Sequence, residues 1–321
     1  MSHFLLFDSV SDFSEGVAMV CLNNHIGYLD GRGRLSITVA DPNVDLASAY
    51  GQSLAVARVG NYYGYLNRQG GWGIDVQFRQ AKPFSEGLAP VQGGTKYGFL
   101  NLLGEWVIEP QFDLAEGFSN GRAVVKVQDS YGFIDTQGAW VIAPTLKDAW
   151  GFSESLAVVR QEDLYGYIDT QGAVAIAPQY PGAFNFSSGL ARVRQGDQFG
   201  YINRHGDLVI AATLDFAADF SNGLAAVLVE GKWGYIDATG ALPIPPQVDY
   251  AADFSEGLAA VQVDGRYGYI NNQGDWIVNP TYHNAGKFSE GLARVQVDNR
   301  WGFIDRTGTP LTPDLPQGWL D

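Results

Sequence analysis

The chain has 321 residues, 46% hydrophobic and 17% charged, with 40 glycines. Its 35 acidic and 20 basic side chains give a net charge of −15 and a pI near 4.5. That balance disfavours nucleic acid and anionic membrane as partners, since both reward clustered Lys and Arg, and no apolar run approaches the ~20 residues of a membrane span.

The start, MSHFLLFDSV, has no basic region followed by a long apolar one, so a cytoplasmic location is expected. The single cysteine, Cys21, excludes an internal disulfide framework. It lies in the apolar run VAMVCL and is expected to be a buried, inert thiol.

Self-similarity dominates the rest. Phe84, Phe118, Phe152, Phe186, Phe220, Phe254 and Phe288 are spaced by 34 residues, Tyr50 holds the slot one period earlier, and Phe13 lies 37 residues before it. Gly64, Gly98, Gly132, Gly166, Gly200, Gly234, Gly268 and Gly302 repeat the step, with Gly27 again 37 before the first. The chain therefore contains nine tandem repeats of about 34 residues, read as a single repeat domain over residues 1–321. Repeats one and two (about 1–80) are irregular, and 312–321 forms a tail.

Within a repeat the elements follow a fixed order. A Phe-Ser-Glu-Gly phrase comes first, as at Phe254–Gly257, and a Ser-x-Gly turn with local side-chain bonds explains it better than a cation-binding ring of Glu15, Glu86, Glu154, Glu256 and Glu290. The next run, such as Leu258–Val263, alternates small and β-branched residues with period two and predicts a strand. Asp264-Gly265 or Glu230-Gly231 then suits a two-residue hairpin.

The second strand carries an aromatic-Gly-aromatic-aliphatic motif, as in Tyr267–Ile270. Glycine weakens a strand unless something approaches closely, so a side chain of the neighbouring repeat is expected over it. After this strand all nine repeats place Asp or Asn three residues before Gly: Asp30, Asn67, Asn101, Asp135, Asp169, Asn203, Asp237, Asn271 and Asp305. That is the chemistry of a type I turn. Asn replaces Asp freely, which a calcium site would resist, so no metal is expected.

A third strand, such as Trp106–Pro110, should end its pairing at the proline. The short segment leading to the next Phe-Ser-Glu-Gly completes a three- or four-stranded antiparallel meander. One such repeat is too small to be stable alone.

Trp233-Gly234, Trp301-Gly302, their Tyr-Gly variants, the FSEGLA phrase and the D-x-x-G turns together resemble the bacterial WG-repeat, or KWG-repeat, family over about Phe4 to Leu311. The resemblance implies a binding or scaffolding role and supplies no catalytic residues. The chain departs from the pattern where YGQS replaces the serine phrase and over Arg34–Asp45. Its C-terminal end lacks the segment that leads into Phe-Ser-Glu-Gly, and its N-terminus supplies one. These complementary ends favour an all-β, propeller-like ring over an open superhelical stack capped by the first repeats and the Pro-rich tail.

No Walker loop, H-E-x-x-H, Cys pair or G-x-S-x-G elbow occurs, and His3, His25, His205 and His283 occupy unrelated repeat positions, read as surface or turn residues. No catalytic residue and no cofactor is assigned. One asymmetry remains: Lys126, Arg160 and Arg194 hold the same slot in three successive repeats, with Arg122 and Arg192 on the same strand face. On an acidic protein this is a candidate site for an anion or acidic partner, weighed against a solvated face paired with nearby acids.

The leading expectation is a non-enzymatic, monomeric module binding another protein, with variable turn positions (Leu102-Leu103, Thr136-Gln137, Arg204-His205) as read-out points. The alternative is a glycan-binding repeat protein with aromatics stacking on sugars, although most Trp and Tyr occupy regular strand slots and read as core. A hydrolase would need a carboxylate pair in distinct environments.

Overall fold

The computed structural model describes residue 4 and residues 6–320; His3 lies outside the described residues. Each repeat forms one antiparallel sheet whose strands follow chain order. In the fourth of these blades the strands are Leu114–Ala115, Ala123–Val127, Ser130–Ile134 and Trp140–Leu146. The fold is all-β, with nine blades of propeller type among the described residues. They fall into two compact units: residues 1–83 with 248–321, and residues 84–247.

The second unit holds blades three to seven. Its apolar clusters each bridge two consecutive blades: Phe99, Ile108 and Phe112 pack on Phe118, Val125 and Ile134, and the same contact recurs one period later around Phe133 and Phe152. A single sheet thus buries both faces only through its neighbours, as the repeat length requires. The second aromatic of each motif is the centre of this contact. Phe99, Phe133, Tyr167 and Tyr201 are fully buried, each with its ring centroid 4.9 to 5.1 Å from the phenylalanine of the next blade.

The first unit holds blades one, two, eight and nine, and in it the chain's beginning meets its end. Blade nine supplies only three strands of its own, ending at Arg300–Asp305. Phe7 takes the place of a fourth: the Phe7 and Leu6 amides donate to the Trp301 carbonyl, and the Trp301 amide donates back to Phe7 at 2.9 Å. Phe13 then packs on Phe303 with centroids 5.0 Å apart, and Arg294 pairs with Asp12 at 2.7 Å. The tail adds a strap: Asp314 bonds to Gly33 and Leu35, and buried Trp319 stacks on His25 at 5.6 Å. The expectation of joined ends therefore holds, and the tail fastens the joint instead of capping an open stack.

Three local expectations change. The glycine in the aromatic motif is not covered by a neighbouring repeat. A Cβ on Gly132 would meet the Ile142 carbonyl at 2.6 Å and the Pro144 nitrogen at 2.9 Å, both on the blade's own outer strand. Pairing also does not end at the proline. Tyr131 pairs with Leu146 and Phe133 with Ile142, so the outer strand bulges around Pro144 and resumes; a residue without an N–H is harmless where the ladder is already broken. Third, the tryptophans that open the outer strands are not core: Trp140 and Trp276 are exposed, because the outer strand is an edge.

The turns behave as expected. Asp264 and Gly265 have φ of 50° and 73°, and Glu230 and Gly231 are similar, as a type I′ hairpin requires. At Asp135 the Gly138 amide donates to the main-chain carbonyl, while Oδ1 accepts the amides of Gln137 and Ala139.

Candidate functional site

The Phe-Ser-Glu-Gly phrase is a fastening device between blades. Its Glu and Gly occupy the left-handed region, as at Glu256 (53°) and Gly257 (77°), closing a tight turn. The serine hydroxyl accepts locally from the adjacent Asn side chain at Ser119 and Ser221, but it does not donate locally. It donates across to the Phe or Tyr carbonyl of the following blade, at 2.5 to 2.8 Å, from Ser14, Ser85, Ser119, Ser153, Ser187, Ser255 and Ser289. The carboxylates of Glu86, Glu154, Glu256 and Glu290 accept the glycine amide of the next blade's turn.

Asp or Asn turns join the same edge: Arg204 and Arg306 donate to the carbonyls of Glu154 and Glu256. The tyrosine hydroxyls do likewise, Tyr167 donating to Phe184 and Tyr269 to Gly286. Burial pushes the Tyr167 and Tyr269 hydroxyls up from their ordinary value, so they remain donors at any physiological pH.

The five candidate cations do not converge. Lys126, Arg160 and Arg194 hold equivalent places next to the hairpin between the middle strands. Lys126 stands over the Tyr131 ring at 5.2 Å. Arg194 donates to the Gly196 carbonyl and the Asp197 carboxylate, at 2.8 and 2.9 Å. Arg160 lies opposite Asp148, with its Nε buried and without a hydrogen-bond partner. Arg58 occupies this slot in blade two and pairs with Asp45 at 2.8 Å.

Arg122 sits at the other end of its strand and donates to the Thr170 carbonyl of the following blade. Arg192 is enclosed between blades, its guanidinium 3.7 Å from the Phe184 centroid and 3.6 Å from Asp219. Burial raises the Asp219 carboxyl above the ordinary range despite that cation. Arg192 with Asp219, and Arg294 with Asp12, are the same cross-blade pairing at two joints.

Other expectations find their places. Leu102, Leu103, Gln137, Arg204 and His205 are exposed, and Thr136 is half-buried. His25 and His283 are also exposed. Cys21 is half-buried, not fully buried, and burial together with nearby Asp8 raises its thiol pKa. A cavity of about 260 Å³ beside Trp319 is lined by His25, Thr38, Asp41 and Pro42. No group of three metal-ligating side chains occurs among the described residues, and no helix there is long and apolar enough to cross a membrane.

Sequence reasoning also missed the exposure of apolar residues on the outer strands, such as Trp140, Val174 and Leu208, whose tryptophans it read as core.

A family model described as "WG containing repeat" matches residues 5–24, 63–94, 97–130, 131–165, 165–198, 199–233, 233–267 and 267–301. Residues 25–62, where the repeats are irregular, fall outside these matches. No curated protein sequence matches the chain. Among solved structures, a eukaryotic initiation factor superimposes with a TM-score of 0.66 at 10% identity, over 92% of this chain and 95% of that one. BamB from Moraxella catarrhalis gives a TM-score of 0.45 at 11% identity, over 92% of each chain. At 10% identity the likeness to the initiation factor is one of fold.

Proposed function

We propose, from the premise that this chain belongs to the WG-repeat family, that it is a non-enzymatic binding scaffold whose ligand is another protein. One observation carries the reading. The residues common to the repeats are spent on joining blades: Ser, Glu, Tyr and Phe of one blade bond or pack on the next. What differs between copies is exposed, as at Leu102-Leu103 and Arg204-His205. A frame that is uniform inside and individual outside suits recognition of a macromolecular surface. The polar groups of the repeated phrases are occupied by blade-to-blade bonds, which supports a role other than catalysis or cofactor binding.

The basic slot is included in this proposal only at Lys126 and Arg160, because Arg194 is already committed to Asp197. The test is affinity capture from the native host with chemical cross-linking and mass spectrometry. Cross-links concentrated at exposed, copy-specific positions support the reading; absence of any reproducible protein partner overturns it. A glycan-binding alternative draws on one observation, the exposure of Trp140 and Trp276. Specific binding on a glycan array, lost in Trp140→Ala, would establish it instead.

A further inference from the structure

The second unit carries a row of apolar side chains where solvent is expected. Ten large hydrophobic residues between 84 and 247 are exposed, and eight of them lie in the Asx turns or at the start of the outer strands. Leu103 is 78% exposed and Val174 63%, with Val107, Trp140, Leu208 and Leu242 near 44%.

These positions are contiguous because of how the blades stack. The turn glycine of each blade rests on an outer-strand isoleucine of the blade before it. A Cβ on Gly138 would stand 3.2 Å from Ile108, one on Gly172 2.7 Å from Ile142, and one on Gly206 3.2 Å from Ile176. Trp140 packs edge-on against Phe112 across the same joint, at 5.9 Å. The first residues of successive outer strands, Trp106, Trp140, Val174 and Leu208, with Leu242 at the equivalent repeat position just before Ile244–Val248, therefore form one belt. Single exposed apolar residues are ordinary; a belt across successive blades marks an interaction surface.

The charges around the belt identify its occupant. These turns and outer strands contain Glu105, Glu109, Asp135, Asp169, Asp207 and Asp237, against one Lys or Arg, Arg204. That arginine is tied to the Glu154 carbonyl. We propose that the outer-strand belt of the second unit docks a basic segment of a partner protein, with apolar side chains seated on Trp140, Val174 and Leu208 and Lys or Arg facing the flanking carboxylates. The idea deepens the protein-binding reading above and rests on it.

The probe is a synthetic peptide alternating leucine and lysine, titrated against the full chain by fluorescence anisotropy at low and physiological salt. Its controls alternate leucine with glutamate, and serine with lysine. The leucine–lysine peptide is expected to bind, more weakly at higher salt. Trp140→Ser with Val174→Ser should weaken it about tenfold or more, and Glu105→Gln with Glu109→Gln should weaken it and flatten the salt dependence. Charge removal at the hairpin tips, Glu162→Gln with Asp163→Asn, should leave it unchanged. All these variants alter exposed side chains, and unfolding curves confirm that each is folded.

Equal binding of the serine–lysine peptide, or equal loss from the hairpin variant, would reduce the effect to net charge and overturn the belt. Displacement of the peptide by a glycan bound at Trp140 would overturn it in favour of sugar recognition. If captured host partners bind the belt variants undiminished, the belt fails while the protein-binding reading stands.

Discussion

Gly132 has no room for a side chain. Its missing Cβ position lies 2.6 Å from the Ile142 carbonyl and 2.9 Å from the Pro144 nitrogen, and that backbone cannot retreat without breaking the bulge that pairs Phe133 with Ile142. Gly132→Ala should therefore destabilise the chain by about 2–3 kcal/mol, read as a lower midpoint in urea. The same change at half-buried Gly151, where a Cβ meets nothing within 4 Å, is the control and should be close to neutral.

Ser153 gives a second test at this scale. Its hydroxyl donates to the Phe186 carbonyl at 2.7 Å, so Ser153→Ala leaves a part-buried acceptor unpaired and should cost about 1–2 kcal/mol. Were the serine merely a turn former, as the sequence reading held, Ser153→Gly and Ser153→Ala would differ strongly while the link between blades did not matter.

These two residues also show what the chain concealed. Fixed spacing announces that Ser and Gly matter in every copy, and turn or strand chemistry is the nearest explanation. The actual partner of the serine lies 33 residues away, and that of the glycine is inside a bulge, where the two-residue period is interrupted. A bulge leaves no pattern in alternation, and a bond between equivalent repeats looks like local conservation within the chain.

Among the elements, the Asx turn was the most legible, because its chemistry is contained in five residues. Asp237 and Asp305 each accept a threonine hydroxyl (Thr239, Thr307) and backbone amides through Oδ1. Those hydrogen bonds, the side-chain ones foremost, hold both carboxyls below the ordinary value.

The sign follows directly. A depressed folded pKa contributes stability that is present above the unfolded value, near 3.9, and lost as pH falls through the lower folded one. The wild-type midpoint should thus decline on acidification below about pH 4. Asp237→Asn with Asp305→Asn should unfold nearly as wild type at pH 7, since Asn67, Asn101, Asn203 and Asn271 already serve in this turn, and its acid slope should be shallower. An unchanged slope would mean that these turns do not carry the linkage.

The basic slot was less legible than the turns. Equivalent positions in the sequence gave Lys126, Arg160 and Arg194 one strand level, correctly, but parity alone also grouped Arg122 and Arg192 with them. In three dimensions one reaches the next blade's turn and the other is enclosed by Phe184, Phe199 and Phe216. Which joint a long side chain enters depends on its neighbour's side chains, and a strand period carries no information about them.

At the scale of the whole molecule, the decisive element is a few residues at the start of the chain. The complementary ends were visible in the sequence because a missing segment at one terminus matched a surplus at the other. Phe7 is fully buried, exchanges both main-chain hydrogen bonds with Trp301, and belongs to the cluster that contains Phe13, Phe303 and Trp319. The joint is non-covalent, so its strength is that of this cluster, the Arg294–Asp12 and Arg300–Asp8 ion pairs, and the strap that ends in Trp319.

Truncating a buried phenylalanine costs about 3–5 kcal/mol. Phe7→Ala should lower stability by that amount while leaving its backbone pairing possible. If the joint is the weakest link, its opening is local and precedes global unfolding. Hydrogen exchange should then accelerate first in Leu292–Val297 and Arg300–Asp305, the strands that the N-terminal segment covers. Trp319→Ala, which removes the strap from His25 and Gly27, should add to the effect at Val17–Leu22 and His25–Asp30. Uniform acceleration over the whole chain would show instead that the blades unfold as one cooperative body and that closure is no weaker than any other joint.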